Sequence, residues 1–162
     1  LPWAVPGTVY AIALATMFSV DQPAAARFIL IGTLWLLPLA YLVRGLPIVG
    51  RAMLAAIRGL DPSLDEAAAS LGASRWRVFR TVTLPLLGPA LAGATALAFV
   101  TGLGDFMVSV ILYTYDTRPV SLEILGAIRQ GEIGVAAAYG VVLAVISAAA
   151  FVLAERGSRP VA

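Results

Sequence analysis

The sequence has 162 residues, of which 60% are hydrophobic and 12% charged, with a mean hydropathy of +0.94. A soluble domain carries about twice that share of charged residues, so the composition predicts a membrane protein. The net charge of +2 argues against a nucleic-acid partner, and the lack of cysteine and histidine excludes disulfides, thiolate nucleophiles and the usual zinc sites.

Four apolar stretches are each close to the ~20 helical residues that cross a hydrocarbon core. They cover residues 5–20, 28–43, 86–112 and 133–154. The first begins almost at Leu1 with no basic segment before it, so we expect a fragment of a longer protein rather than a signal peptide. Small residues crowd the last two stretches and favour close helix packing. We therefore predict an all-α, polytopic transmembrane bundle of four spans.

The arginines predict the orientation of these spans. Residues 44–85, between the second and third stretches, carry six arginines against three acidic residues. Short loops rich in arginine stay on the cytoplasmic side of a membrane. We expect this loop, and the C-terminus two spans later, to be cytoplasmic.

The loop itself contains signals for two short helices. Asp61 or Ser63 can cap a first helix over 64–71, and Gly72 supplies the left-handed residue that ends it. Ser74 can cap a second helix that runs to about Thr81. The sequence thus predicts a helix–turn–helix outside the bilayer.

The two short helices suit different partners. The first has a small alanine face, which favours docking into a groove on another protein. The second carries three arginines and two aromatic residues, Arg75, Trp76, Arg77, Phe79 and Arg80. A helix of that kind also fits the surface of an anionic membrane, so both interpretations stay open for the arginine segment.

The spacing within the loop resembles a known family. Glu66-Ala67-Ala68, three residues, Gly72, nine residues and Val82-Thr83-Leu84-Pro85 are similar to the EAA loop of binding-protein-dependent ABC importer permeases. That pattern is EAA, three residues, G, nine residues, I, one residue, LP, and only Val82 departs from it. The segments VPGTVYAIAL and GDFMVSVILYTYDTRPVSLEIL resemble the second half of ferric-iron type permeases, a group close to those for polyamines, thiamine and sulfate.

The resemblance implies a type I importer fold in a bacterial-type inner membrane. Its ATPase-coupling residues would be Glu66, Ala67, Ala68, Gly72, Leu84 and Pro85. The partners it implies are cytoplasmic ATP-binding subunits, an extracytoplasmic substrate-binding protein and the other permease half, fused or as a dimer, besides membrane lipid. The chain would be no enzyme and hold no metal or cofactor, because the ATPase subunits would bind ATP and magnesium. Ferric iron is the first expectation for the substrate, with polyamine, thiamine and sulfate as alternatives.

Asp105 is a second candidate functional residue. An ionisable side chain within an apolar span is costly unless it faces a cavity or a partner, so Asp105 is a candidate for the pathway or a gate. The alternative is a position near the outer interface. A secondary transporter or channel could show similar spans and one buried acid, but nothing in such proteins calls for the EAA spacing.

Overall fold

The computed structural model of the chain describes residues 5–19, 29–61, 63–70 and 72–157, with the side chains of Asp65, Glu66 and Ala69 outside this description. Helices dominate these residues. They are α1 Gly7–Met17, α2 Leu36–Arg58, α3 Ser63–Ser70, α4 Arg75–Val78, α5 Leu84–Leu103, α6 Phe106–Leu112, α7 Val120–Arg129 and α8 Ile133–Gly157, with a π-helical turn over Phe79–Thr83. In the described part of the chain, extended pairing is limited to one bridge between Thr114 and Thr117.

Within the described residues, three helical segments are long and apolar enough to cross a membrane: α2, the continuous helix Arg75–Leu103 and α8, with 23, 29 and 25 residues. Between 6% and 17% of the most apolar window of each is buried within the chain. So much exposed apolar surface requires lipid or further helices around it. The expectation of an all-α, polytopic membrane bundle is confirmed.

The second helix differs from its predicted bounds. We expected a span over 28–43, whereas α2 begins at Leu36 and continues to Arg58. Pro38 lies in the first turn, where its missing N–H is harmless, and Pro47 lies inside the helix without ending it. Fifteen residues that we assigned to the loop therefore extend α2. Phe28, at the predicted start, lies outside the described residues.

The third apolar stretch contains a break that the prediction of one span over 86–112 did not include. Helix α5 ends at Leu103, Gly104 follows, and Asp105 adopts an extended conformation with φ −75° and ψ 90° before α6 begins. The cause is local. The Asp105 carboxylate accepts a hydrogen bond from the N–H of Val108 and caps α6, while the Asp105 backbone leaves the helical conformation of α5. Of the other two stretches, 133–154 is helical throughout, whereas 5–20 contains the 11-residue α1 and Val20 lies outside the described residues.

Helix α5 is the centre of the packing, with α2 on one side and α8 on another. Helix α1 packs on α6, and α7 packs on both α6 and α8. A buried cluster joins α1, the first turns of α2, and α6, and it consists of Ala11, Leu36, Leu37, Ala40, Val108 and Leu112. The packing fixes the break at Asp105 against α2.

Candidate functional site

Helix α3 of the loop begins at a polar cap. The backbone N–H of Ser63 donates to Asp61 Oδ1 at 2.9 Å, and the N–H of Leu64 donates to the Asp61 carbonyl at 3.1 Å. The hydrogen bond from the Ser63 backbone stabilises the Asp61 carboxylate and lowers the pKa of Asp61. The predicted cap at Asp61 is confirmed. Glu66 lies in this helix, and its side chain is outside the described part.

Gly72 forms the corner between the two loop helices. Its φ of +73° lies in the left-handed region, as the sequence predicted, and a Cβ added there would meet nothing within 4 Å. The requirement for glycine is therefore one of backbone conformation alone. Beyond the corner, the N–H of Ala73 donates to the Ala68 carbonyl at 3.1 Å, which closes the end of α3.

The second loop helix continues into the membrane-length helix. Ser74 Oγ accepts a 3.4 Å hydrogen bond from the N–H of Arg77 and caps α4 as predicted. The chain then passes through the π-helical turn into α5, whose first turn contains Leu84 and Pro85. Helix α4, the π-helical turn and α5 therefore form one continuous helix over Arg75–Leu103.

The structure places the loop's candidate residues on one end of the bundle. Ala67 is exposed and Ala68 half-buried on α3, while Leu84 and Pro85 are exposed where α5 begins. A groove of about 260 Å³ separates α3 from the ends of α2 and α5. Its lining residues are Ile57, Leu60, Asp61, Leu64, Val82, Thr83 and Leu86.

Asp105 lies just beyond the C-terminal end of α5. Because α5 has 20 residues, this end is about 30 Å from the end that joins the loop. Its Oδ2 is 3.1 Å from Arg44 Nε, and its Oδ1 accepts a 3.2 Å hydrogen bond from the N–H of Val108. The side chains of Arg44 and Asp105 are 22% and 11% exposed. One carboxylate therefore caps α6 and pairs with an arginine of α2.

A second polar contact runs parallel to the ion pair. Tyr41, one turn before Arg44, hydrogen-bonds Ser109 through its hydroxyl at 2.5 Å, and Ser109 lies one turn after Asp105. Ser109 is fully buried and donates to the Asp105 carbonyl, so Tyr41 is the donor to Ser109. The Ser121 hydroxyl of α7 donates to Ser109 at 3.4 Å. These contacts connect α2, α6 and α7 around the break.

The space beside the ion pair is nearly full. A cavity of about 10 Å³, lined in part by Tyr41, Arg44, Gly102 and Asp105, has room for about one water molecule. Arg44 Nη1 is buried without a hydrogen-bond partner in the described part of the chain. A Cβ added to Gly7 would lie 2.6 Å from this nitrogen, so α1 and α2 approach closely at this point.

Sequence reasoning found Asp105 but missed Arg44, which it placed at the end of a span. The sequence carries no signal that pairs Arg44 with Asp105 before the helices are packed. Within the described residues no group of three or more acidic side chains could hold a metal ion.

A membrane-embedded helix bundle with a helix–glycine–helix loop between two membrane-length segments is the architecture of a transport permease. Residues 1–159 match the family described as "Binding-protein-dependent transport system inner membrane component", and the chain belongs to this family. It is thus part of an integral inner-membrane protein, a permease of the binding-protein-dependent ABC type.

Several relatives are similar over most of the chain. The probable ABC transporter permease protein y4fN of Sinorhizobium fredii (strain NBRC 101917 / NGR234) is 33% identical over 159 residues, 96% of this chain and 28% of the relative. The ferric transport system permease protein FbpB of Actinobacillus pleuropneumoniae is 38% identical, over 90% of this chain and 20% of its own length. The sulfate transport system permease protein CysT of Escherichia coli (strain K12) is 34% identical, over 94% of this chain and 57% of its own length.

The fold has a solved counterpart. The crystal structure of a bacterial alginate ABC transporter, in complex with an alginate pentasaccharide-bound periplasmic protein, matches with a TM-score of 0.75 and 22% sequence identity. The match covers 98% of this chain and 62% of that chain. The chain therefore spans between a fifth and somewhat under two thirds of the length of these four proteins.

Proposed function

We propose that the chain is the C-terminal part of the permease subunit of an ATP-driven importer and that its loop couples it to a separate ATPase subunit. The observation that carries the proposal is the Gly72 corner at the EAA spacing, joined through α4 and the π-helical turn to α5. Coupling requires a surface that an ATPase can move and a stiff connection to the spans. Helix α3 would supply the surface and Arg75–Leu103 the connection.

The proposed coupling assigns a role to each loop residue. Glu66 contacts the ATPase surface, and Ala67 and Ala68 fill its groove, because alanine loses little side-chain entropy and lets backbones approach. Gly72 fixes the angle between α3 and α4. Leu84 and Pro85 begin the helix that receives the motion, and the ATP and magnesium lie in the partner, so the chain itself performs no catalysis.

Asp105 is the proposed gate residue at the far end of that helix. The helix break, the ion pair with Arg44 and the nearly filled cavity support a closed gate rather than an open pathway. Motion of α5 relative to α2 would change the pairing of Asp105 with Arg44. A passage could form there only if this pair and the Tyr41–Ser109 contact rearranged.

Ferric iron is the substrate that we propose first, supported by the similarity to the ferric permease of Actinobacillus pleuropneumoniae. Sulfate is the second candidate substrate, supported by the similarity to the sulfate permease of Escherichia coli. An extracytoplasmic binding protein would select the substrate, and the other permease half would complete the pathway. Uptake of radioactive iron and sulfate by cells with and without the permease distinguishes the two.

A crosslinking experiment tests the coupling proposal. The chain contains no cysteine, so Ala68→Cys introduces a single thiol on α3. A second thiol is placed beside the expected groove of the ATPase in the complete transporter. We expect a crosslinked product whose yield changes when ATP is added, because closure of the ATPase subunits moves their grooves.

Ala55→Cys is the matched control, since Ala55 is exposed on α2 near the loop but outside the docking helix. It should give no crosslink. If Ala68→Cys also gives none in a transporter that contains both subunits, α3 does not dock the ATPase.

A further inference from the structure

The loop carries a second surface that the proposed coupling does not use. We name it the arginine–aromatic face, and it consists of Arg75, Trp76, Arg77, Phe79 and Arg80. All five side chains are exposed, with Trp76 at 69% and Phe79 at 43%. The two rings stack on each other with centroids 5.7 Å apart and an interplanar angle of 27°. Between them along the chain, Val78 is buried at 8% exposure and anchors this segment to the protein.

Among the described residues, no acidic side chain pairs with the arginines of this face. The sequence has no acidic residue between Glu66 and Asp105. Three guanidinium groups beside two exposed rings are unusual on a surface that meets only water. The face therefore requires an anionic partner that also accepts aromatic rings.

The position of the face indicates which partner this is. Helix α4, the π-helical turn and α5 form one continuous helix of membrane length. Trp76 precedes Pro85 by nine residues, which is about 13 Å along a helix axis, and Phe79 precedes it by about 9 Å. These distances match the headgroup region beside the hydrocarbon core, where arginine and tryptophan concentrate.

The Gly72 corner separates this face from the proposed ATPase dock. Helix α3 carries small residues and an acidic cap, whereas the arginine–aromatic face begins after the corner and carries only positive charge. An ATPase groove that accepts alanines does not need a cluster of arginines. The two surfaces thus differ in size, charge and distance from the membrane.

We propose that the arginine–aromatic face binds anionic phospholipid at the membrane surface next to the loop. The guanidinium groups donate hydrogen bonds to lipid phosphates, and Trp76 and Phe79 pack among the glycerol and upper acyl carbons. These contacts set the depth at which α4 lies at the membrane surface. The proposal does not depend on ATPase docking or on the substrate.

Site-specific photocrosslinking tests the proposal in the assembled transporter. Trp76→p-benzoylphenylalanine replaces one aromatic side chain by another that reacts with neighbouring C–H bonds under ultraviolet light. After irradiation in cell membranes, the adducts of the full-length permease are identified by mass. We expect phospholipid adducts, with the anionic fraction at least about fivefold above that of the whole membrane, because each arginine near an anionic surface favours contact by about that factor.

Two controls make the result specific. Trp35, which is 71% exposed at the start of α2 and has its nearest arginines in the sequence eight and nine residues away, at Arg27 and Arg44, is the matched site. Trp35→p-benzoylphenylalanine should give lipid adducts of bulk composition. Arg75→Gln, Arg77→Gln and Arg80→Gln combined with the Trp76 probe should lower the anionic fraction to that of the bulk membrane.

Each alternative result overturns the proposal. An adduct with the ATPase or with another permease segment would show that protein covers the face. Lipid adducts of bulk composition at Trp76 would exclude selective binding of anionic headgroups. If Trp76 gives no adduct while Trp35 does, the face meets water. The same probe at Ala68 should form an adduct with the ATPase. The coupling proposal is therefore tested at Ala68, independently of the lipid proposal, which is tested at Trp76.

Discussion

Arg44 and Asp105 form an ion pair, and each charge stabilises the fold only when its partner is present. Each side chain is largely removed from solvent, at 22% and 11% exposure, so each charge needs the other. Asp105 has a second role as the cap of α6, which a neutral asparagine could also fill. Charge and capping can therefore be separated by substitution.

We predict that Asp105→Asn destabilises the permease by roughly 3 kcal/mol, because it leaves the Arg44 guanidinium without a counter-charge. Arg44→Gln should cost about half as much, since the glutamine amide can still donate a hydrogen bond to the carboxylate. The free energy of unfolding of the purified full-length permease, from denaturant titration in detergent, measures both.

The double variant Arg44→Gln with Asp105→Asn is the control. It removes both charges and should be more stable than Asp105→Asn alone, giving a favourable coupling energy in the double-mutant cycle. Additive effects of the two substitutions would show that the pair contributes no net interaction.

The sequence predicted one half of this pair for a simple reason. Asp105 interrupts a long apolar stretch, so its cost was visible without a structure. Arg44 was assigned to the edge of the predicted span 28–43, where a charged side chain is ordinary. In the structure Pro38 lies in the first turn of α2, and this shift moves Arg44 inside the helix. No spacing rule links the two residues, which are 61 positions apart, before the helices are packed.

At the scale of elements, the contact between α2 and α5 depends on two glycines. A Cβ at Gly45 would lie 3.1 Å from Ala98 Cβ, and a Cβ at Gly102 would lie 3.4 Å from Tyr41 Cβ. The helices pack closely because glycine has no side chain at these positions. The contact also aligns Tyr41 with Ser109 and Arg44 with Asp105.

Gly45→Ala tests this packing, with Gly50→Ala as its matched control on the same helix. We predict that Gly45→Ala lowers stability by about 1 kcal/mol, because overpacking forces α2 and α5 apart. Gly50 has nothing within 4 Å of an added Cβ, so Gly50→Ala should be neutral or stabilise the helix by up to about 1 kcal/mol. Thermal unfolding midpoints of the two variants give the comparison, and equal midpoints would contradict it.

Local signals predicted the loop better than the spans. Asp61, Gly72 and Ser74 act through their own hydrogen bonds and backbone angles, so their residue types determine the corner. The ends of α2 and α5 depend on tertiary contacts instead. Apolar composition alone did not show that α2 passes through Pro47 or that Asp105 interrupts the third stretch.

At the scale of the whole molecule, charge differs between the two ends of the bundle. Among the described residues the loop end carries five exposed arginines, Arg51, Arg58, Arg75, Arg77 and Arg80. The opposite end carries more acidic than basic residues, with Asp116, Glu123 and Glu132 against Arg118 and Arg129. This asymmetry supports a cytoplasmic loop and C-terminus.

Single cysteines in the full-length permease measure this orientation. We predict that Tyr115→Cys, at a position 86% exposed, reacts with a membrane-impermeant maleimide added outside intact cells. Arg156→Cys, exposed near the end of α8, should react only after the membrane is permeabilised. The reverse pattern of labelling would invert the proposed topology.

The π-helical turn over Phe79–Thr83 has a geometric consequence for the two surfaces of the loop region. Its closing hydrogen bond runs from the N–H of Leu84 to the Phe79 carbonyl, five residues back instead of four. The turn therefore contains one residue more than an α-helix would need, and each residue of an α-helix rotates the side chains by about 100°. Shortening the turn by one residue would rotate Trp76 by about 100° around the axis of the helix Arg75–Leu103. Ala98 and Gly102 would keep facing α2. The direction in which the loop points is thus set separately from the packing inside the bundle, and a one-residue insertion or deletion here would re-aim the loop without disturbing the Arg44–Asp105 ion pair.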